Sequence, residues 1–186
     1  LLPYTPLHRL LADGTAGGTA AMVLTSANRP GCPVLIDNDE ALAALAGVAD
    51  GYLLHDRPIR NRCDDSVAMV WQGAPYFLRR SRGWVPQPVL LDRAADGVGA
   101  FGAELKAGFA AGRGRHAFLS QHIGDLKNAV TLDHYRGALD TCLGLFRITP
   151  RLLVCDRHPD YASTREAEAR AAAAGLPLLQ VQHHWA

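Results

Sequence analysis

Between residues 98 and 181 the chain sets out three short apolar runs, a long amphipathic stretch, another run, an alanine-rich stretch and a last run. Runs at 98–104 and 108–111 flank a Glu104-Leu105-Lys106 turn, and 117–120 follows closely. These are predicted as strands, because each is short, apolar and bounded by turn residues. A helix is predicted over 132–146, where Leu139, Leu143 and Phe146 recur on one face. A strand at 152–156 follows, then a helix at 164–174 with Ser163 and Thr164 at its N-cap. Gly175 stops that helix, Pro177 lies just beyond, and a strand at 178–181 completes the series. Three strands, then helix, strand, helix and strand, make an α/β sheet whose strand ends carry the polar residues.

The first half is α/β as well. A short helix is predicted at 6–12 with Pro6 at its start, and another at 39–46, begun by Asn38 or Asp39 and ended by Gly47. Strands are predicted at 21–25, 51–55, 66–71 and 75–80, the last two joined by a turn at Gln72-Gly73-Ala74. Two prolines follow in Gly83-Trp84-Val85-Pro86-Gln87-Pro88, and a polar, small-residue stretch occupies 92–97. That stretch reads as a linker. Two domains are expected, 1–92 and 97–186.

Composition excludes several classes. The 186 residues carry 19 Lys and Arg against 18 Asp and Glu, a net charge of +1, and 48% are hydrophobic. That is too apolar for a disordered chain, and too balanced for a protein that holds nucleic acid by bulk charge. No apolar run approaches the roughly 18 residues of a membrane helix. The expected partners therefore include neither nucleic acid nor membrane. Cys32, Cys63, Cys142 and Cys155 form no Cys-x-x-Cys pair, so buried free thiols in a reducing cytoplasm are expected. The chain opens on Leu1 without a signal-peptide pattern and stops at an apolar strand and two histidines. Both ends read as the interior of a longer protein.

Several strand ends carry candidate chemistry. Thr25, Ser26 and Asn28 follow the run at 21–25, where hydroxyl and amide groups can bond phosphate oxygens or simply cap a turn. Arg57, Arg60, Arg62, Arg79, Arg80 and Arg82 crowd 26 residues; Arg79, Arg80 and Arg82, closing a strand beside Gly83, suggest an anion site. Asp56, Asp64 and Asp65 among them offer the plainer reading of surface pairing. Lys106, one of only two lysines, sits where a phosphate loop would lie. His122 and Asp125 follow the third strand of the second half and would face the same cleft. Ser163 is either a cap or part of an anion site at a helix N-terminus. His183-His184 after the last strand is a possible metal signal, short of a full ligand set.

The element order of the second half resembles the start of an actin/Hsp70-type nucleotide-binding lobe. Taken together, the strings resemble one family, the HypF carbamoyltransferases of hydrogenase maturation. The matching strings are Leu-Pro-Tyr-Thr-Pro-Leu-His at 2–8, Thr-Ser-x-Asn at 25–28, Ile-Asp-Asn at 36–38 and the Leu-Leu-His-Asp-Arg-Pro-Ile stretch at 53–67. Arg-Arg-x-Arg-Gly at 79–83, Gly-Ala-Glu-Leu-Lys at 102–106 and Ser-Gln-His-Ile-Gly-Asp-Leu at 120–126 continue it. Asp-x-His-Pro-Asp-Tyr at 156–161 and Val-Gln-His-His at 181–184 complete it. The resemblance implies the C-terminal part of a YrdC-like twisted α/β sheet domain, followed by the first part of an actin/Hsp70-like, TsaD-like α/β lobe.

It further implies carbamoyl-adenylate formation from carbamoyl phosphate and ATP, with Mg2+. The carbamoyl group would pass to the C-terminal cysteine of the acceptor protein HypE, as precursor of the cyanide ligands of a [NiFe] site. Ser26 and Asn28 would contact nucleotide, Ser66 and Arg79 (or Arg80 or Arg82) the substrate, and His183 a divalent Zn or Fe ion. No catalytic residue is assigned. The segment alone is expected to be inactive, with both sites half present. Two other readings are a threonylcarbamoyl-AMP synthase acting in tRNA modification and a non-catalytic nucleotide-binding module. The 102–183 segment argues against the first.

Overall fold

Thr5 opens the first helix, α1 (Pro6–Ala12), by accepting the His8 N–H at 3.1 Å. The structure, a computed structural model, describes residues 5–13 and 23–185. Helix α2 (Asn38–Ala44) is capped one residue earlier than expected. The Asp37 carboxylate accepts from both Asp39 and Glu40 N–H at 2.9 Å, while the Asn38 amide reaches His55 O at 2.7 Å. Strands β1 (Val67–Trp71) and β2 (Ala74–Arg79) form the predicted hairpin. Gln72 and Gly73 both take positive φ, 50° and 77°, the turn whose twist suits a two-residue hairpin.

Among the described residues, two predicted strands do not form. Residues 51–55 are exposed and pair with no strand among the described residues. Residues 23–25 are likewise outside any strand, and residues 21 and 22 lie outside the described residues. An apolar run becomes a strand only where a neighbour offers its N–H and C=O groups.

The second half matches its expected order. Strands β3 (Val89–Leu90), β4 (Val98–Phe101), β5 (Phe109–Arg113) and β6 (His116–Leu119) are followed by α3 (Ala129–Leu145), β7 (Leu152–Asp156), α4 (Ala162–Ala174) and β8 (Leu178–Val181). They build a six-stranded sheet ordered β3-β6-β5-β4-β7-β8. The pairs β4–β5 and β5–β6 are antiparallel; β4–β7 and β7–β8 are parallel, reached by the crossover helices α3 and α4. Val89 and Leu90, which precede the linker-like stretch, already pair with β6. Both long helices begin earlier than their apolar patterns. Asn128 caps α3 by accepting the Val130 N–H at 2.9 Å, and α4 starts at Ala162 with Tyr161, not Ser163 or Thr164, at the N-cap. Gly175, at φ 63°, ends α4 as predicted.

The core lies between this sheet and the two helices, around Phe101, Phe109, Tyr135, Leu139, Leu153 and Ala167. All four cysteines are free; Cys155 is buried and the other three are half-buried. Tyr135 is fully buried, its ring edge-on to Phe109 at 5.6 Å. Its hydroxyl has no partner among the described residues, and burial pushes its ionisation well above the ordinary tyrosine range. An unmade buried hydrogen bond costs about 1–3 kcal/mol. Tyr135→Phe is therefore expected to keep the ring packing and leave stability unchanged or raised by about 1 kcal/mol in a urea titration. A loss above about 1 kcal/mol would mean that the hydroxyl has a partner.

Candidate active-site clefts

The parallel strands β7 and β8 end side by side, so the residues that follow them meet. Asp156, the last residue of β7, is buried. Its carboxylate accepts from His158 N–H at 2.8 Å and from His183 N–H at 3.1 Å, and pairs with His183 Nδ1 at 2.7 Å. Burial alone would raise the Asp156 pKa, but the hydrogen bonds from His158 and His183 outweigh it and hold the carboxyl below its usual range. An ionised carboxylate only accepts, so a proton sits on His183 Nδ1, and in the neutral ring that tautomer leaves the lone pair on Nε2. That arrangement fixes the orientation of the imidazole ring. Among the described residues no group of three or more His, Cys, Asp or Glu side chains gathers into a metal cage. Tyr161 stacks on His158 with ring centroids 4.2 Å apart, and His183 lies against His184 at 4.0 Å. Asp156 and His183 close one end of a cleft of about 360 Å³ whose other walls include Phe101, Gly108, Phe109 and Ser120.

Two acids stand out here that the sequence reading placed within motif strings but gave no role. Asp156 is one. The other is Glu104, buried within the β4–β5 connection, whose carboxylate accepts the Ala162 N–H at 2.6 Å. It thereby caps α4 from 58 residues away and places negative charge at that helix's N-terminus. The available signal was an acid inside an otherwise apolar run. Ser163, expected in the cleft, is fully buried in the first turn of α4 and its hydroxyl has no partner among the described residues. Thr164 bonds Asp156 O at 3.2 Å. Asp125 caps the turn before α3 by accepting the Lys127 N–H at 3.0 Å. Neither Ser163 nor Asp125 lines the cleft.

A second groove, of about 450 Å³, runs along the seam between the two halves. Arg79 and Arg80 line it from the end of β2, and Lys106, Gln121 and His122 from the other side. Gly108 and Ser120 line both grooves, so the two share a wall. The seam is tied by Gln121 Nε2 donating to Arg62 O at 3.2 Å and by Asn128 Nδ2 against Cys32 Sγ at 3.5 Å. Burial lowers the His122 pKa first, Arg79 and Lys106 lower it further, and Asp64 opposes them. His134, also at the seam, is pushed down to about 4 by burial and by Arg62.

The three neighbouring arginines separate clearly. Arg80 donates to Gln87 O, and Arg82 pairs with Asp65. Ser66 uses its hydroxyl on backbone, donating to Arg82 O at 2.9 Å and accepting the Ser81 N–H at 2.9 Å. Ser26 Oγ donates to Asn28 Oδ1 at 2.6 Å, and the Asn28 amide donates to Cys32 O at 3.0 Å. Thr25 is exposed beside them. No hydrogen bond joins this loop to Ser66 or Arg79 among the described residues.

Residues 93–186 match the model of the HypF Kae1-like domain, and residues 1–81 match that of the Sua5/YciO/YrdC family, described as telomere recombination. The carbamoyltransferase HypF of Rhizobium leguminosarum bv. viciae is 44% identical over 190 residues, and HypF2 of Cupriavidus necator is 42% identical over 200 residues. Each alignment covers all of this chain and 24% and 25% of the relative, so the chain spans about a quarter of their length. A full-length HypF solved in its phosphate- and nucleotide-bound form superposes with a TM-score of 0.77 at 38% identity, over 86% of this chain and 25% of that one. HypF of T. kodakarensis gives 0.81 at 39%, over 87% and 21%. The α/β fold is thus the YrdC-like and Kae1-like pair expected from the motifs, and the chain belongs to the HypF family.

Proposed function

We propose that this chain forms part of an ATP-dependent carbamoyltransferase acting in [NiFe]-hydrogenase maturation. The observation that carries the reading is continuous similarity to HypF across both domain types, with the cleft of the second half and the seam groove sharing Gly108 and Ser120. In this reaction water hydrolyses carbamoyl phosphate: the bond between the carbamoyl group and phosphate breaks, and carbamate and phosphate are released. A carbamate oxygen then attacks the α-phosphorus of ATP, the bond to pyrophosphate breaks, and carbamoyl-adenylate forms. A thiolate, the C-terminal cysteine of HypE, attacks the carbamoyl carbon; the carbon–oxygen bond breaks and AMP leaves. The protein contributes position and charge rather than covalent chemistry.

Arg79 would offset charge on the phosphates, and Thr25, Ser26 and Asn28 would bond the nucleotide from their loop. Asp156 orients His183, whose Nε2 would be a ligand for a divalent ion, Zn or Fe. When bound, such an ion supplies Lewis-acid polarisation; Mg2+ would accompany ATP. A cytoplasmic location fits this chemistry, and no described helix is long and apolar enough to cross a membrane.

Pyrophosphate release from ATP that depends on carbamoyl phosphate tests the reading. A full-length protein carrying these residues is expected to release it, and Arg79→Ala to lower the rate by about a hundredfold. The 186-residue chain alone is expected to release none. A full-length protein without this activity would overturn the reading.

A further inference from the structure

The seam groove sets cations from both halves against each other. Neither the Arg79 guanidinium nor the Lys106 ammonium makes a hydrogen bond or ion pair with another described residue, in contrast to Arg80 and Arg82. Among the described residues no carboxylate lines the groove, and Asp64 is the one acid whose charge bears on His122. Two unpaired cations across one groove repel each other, and this geometry gains stability only when an anion enters between them.

The Lys106 side is fixed rather than loose. Lys106 itself sits at φ 50°, an uncommon conformation for a residue with a Cβ. The next residue is bound on both sides, Ala107 N–H to Gly124 O at 2.8 Å and Ile123 N–H to Ala107 O at 2.9 Å. The Arg79 side is fixed by the β1–β2 ladder, in which Arg79 pairs with Val67. His122, half-buried between them, is placed to hydrogen-bond the same guest.

We propose that Arg79, Lys106 and His122 form a single phosphate-binding site held jointly by the two halves of the chain. For the source of the phosphate, an acyl or adenylyl phosphate, this rests on the carbamoyl-adenylate reading. Beyond that reading, it assigns Lys106 and His122 to the same ligand as Arg79 instead of to a separate nucleotide cleft of the second half. The second half thereby completes an anion site that begins on the first.

The test is an NMR titration of the His122 ring in this chain at low salt, with inorganic phosphate as the probe. An anion beside the imidazole favours its charged form, so phosphate is expected to raise the His122 pKa. Arg79→Ala and Lys106→Ala are each expected to weaken phosphate binding about tenfold. Lys127→Ala, which removes the other lysine, is expected to leave it unchanged, and circular dichroism checks that each variant is folded. Full affinity in Lys106→Ala would place the anion on the first half alone and overturn the shared site. An equal loss in Lys127→Ala would reduce the effect to general charge and overturn it too. Either result leaves the carbamoyl-transfer reading standing, because that reading falls only with the pyrophosphate assay.

Discussion

Gly112→Ala is expected to destabilise the second half by about 3 kcal/mol or more, enough to broaden or abolish its cooperative unfolding transition. Gly112 lies in β5, paired with Ala117 of β6. A Cβ there would stand 2.0 Å from Ala95 O and 2.8 Å from Ala95 Cβ. Ala95 cannot easily withdraw. Its N–H donates to Gly114 O at 2.8 Å, and the Gly97 N–H donates to Gly112 O at 3.0 Å. Relieving the clash therefore breaks the bonds that seat 95–97 against the β5–β6 hairpin. Gly137, inside α3, makes the comparison: a Cβ there meets nothing within 4 Å. Gly137→Ala is expected to gain about 0.5–1 kcal/mol from helix propensity alone. Thermal and urea unfolding followed by circular dichroism measure both. Equal midpoints for Gly112→Ala and the parent chain would refute the close approach.

The second half was largely legible because its pattern and its packing agree. Leu139 and Leu143 recur at helical spacing and do face the core, and the runs at 108–111, 117–120 and 152–156 became strands close to their predicted limits, while the run at 98–104 is a strand only to Phe101. The misplaced helix starts have a physical cause. Apolar periodicity marks where a helix is buried, whereas its first turn is fixed by whatever satisfies the free N–H groups. For α3 that group is Asn128, four residues before the pattern begins; for α4 it is Glu104, which no local pattern reveals.

The first half was less legible. The run at 51–55 has strand composition without a strand partner, and adjacent arginines look alike until the fold separates them. Gln87 O takes Arg80, Asp65 takes Arg82, and Arg79 remains for the groove. The seam itself, which brings Arg79 to Lys106 and His122, lies in long-range packing that sequence spacing does not encode.

Asp156→Asn is expected to cost about 3 kcal/mol and to release the His183 ring from its single tautomer. The Asp156 carboxylate accepts three hydrogen bonds from a buried position: His158 N–H, His183 N–H and His183 Nδ1–H. Asparagine keeps one oxygen and turns an NH2 group toward a donor, so the end of β8 loses much of its tie to β7. The effect depends on pH in a definite sense. Burial opposes ionisation, yet the bonds from His158 and His183 leave the folded pKa below the ordinary aspartate value. The contribution of the ionised group is therefore complete above the usual carboxylate range and is lost as pH falls through the lowered folded value. The parent chain should lose stability along that acid limb, and Asp156→Asn should lack this part of the slope. Nitrogen-15 shifts of His183 read the second consequence: Nδ1 protonated in the parent, mixed tautomers in the variant. A variant that kept both the parent's stability and its tautomer would show that Asp156 does not orient His183. The metal role assigned to Nε2 would then lose its geometric basis, since an imidazole free to exchange tautomers presents a lone pair to the cleft only part of the time.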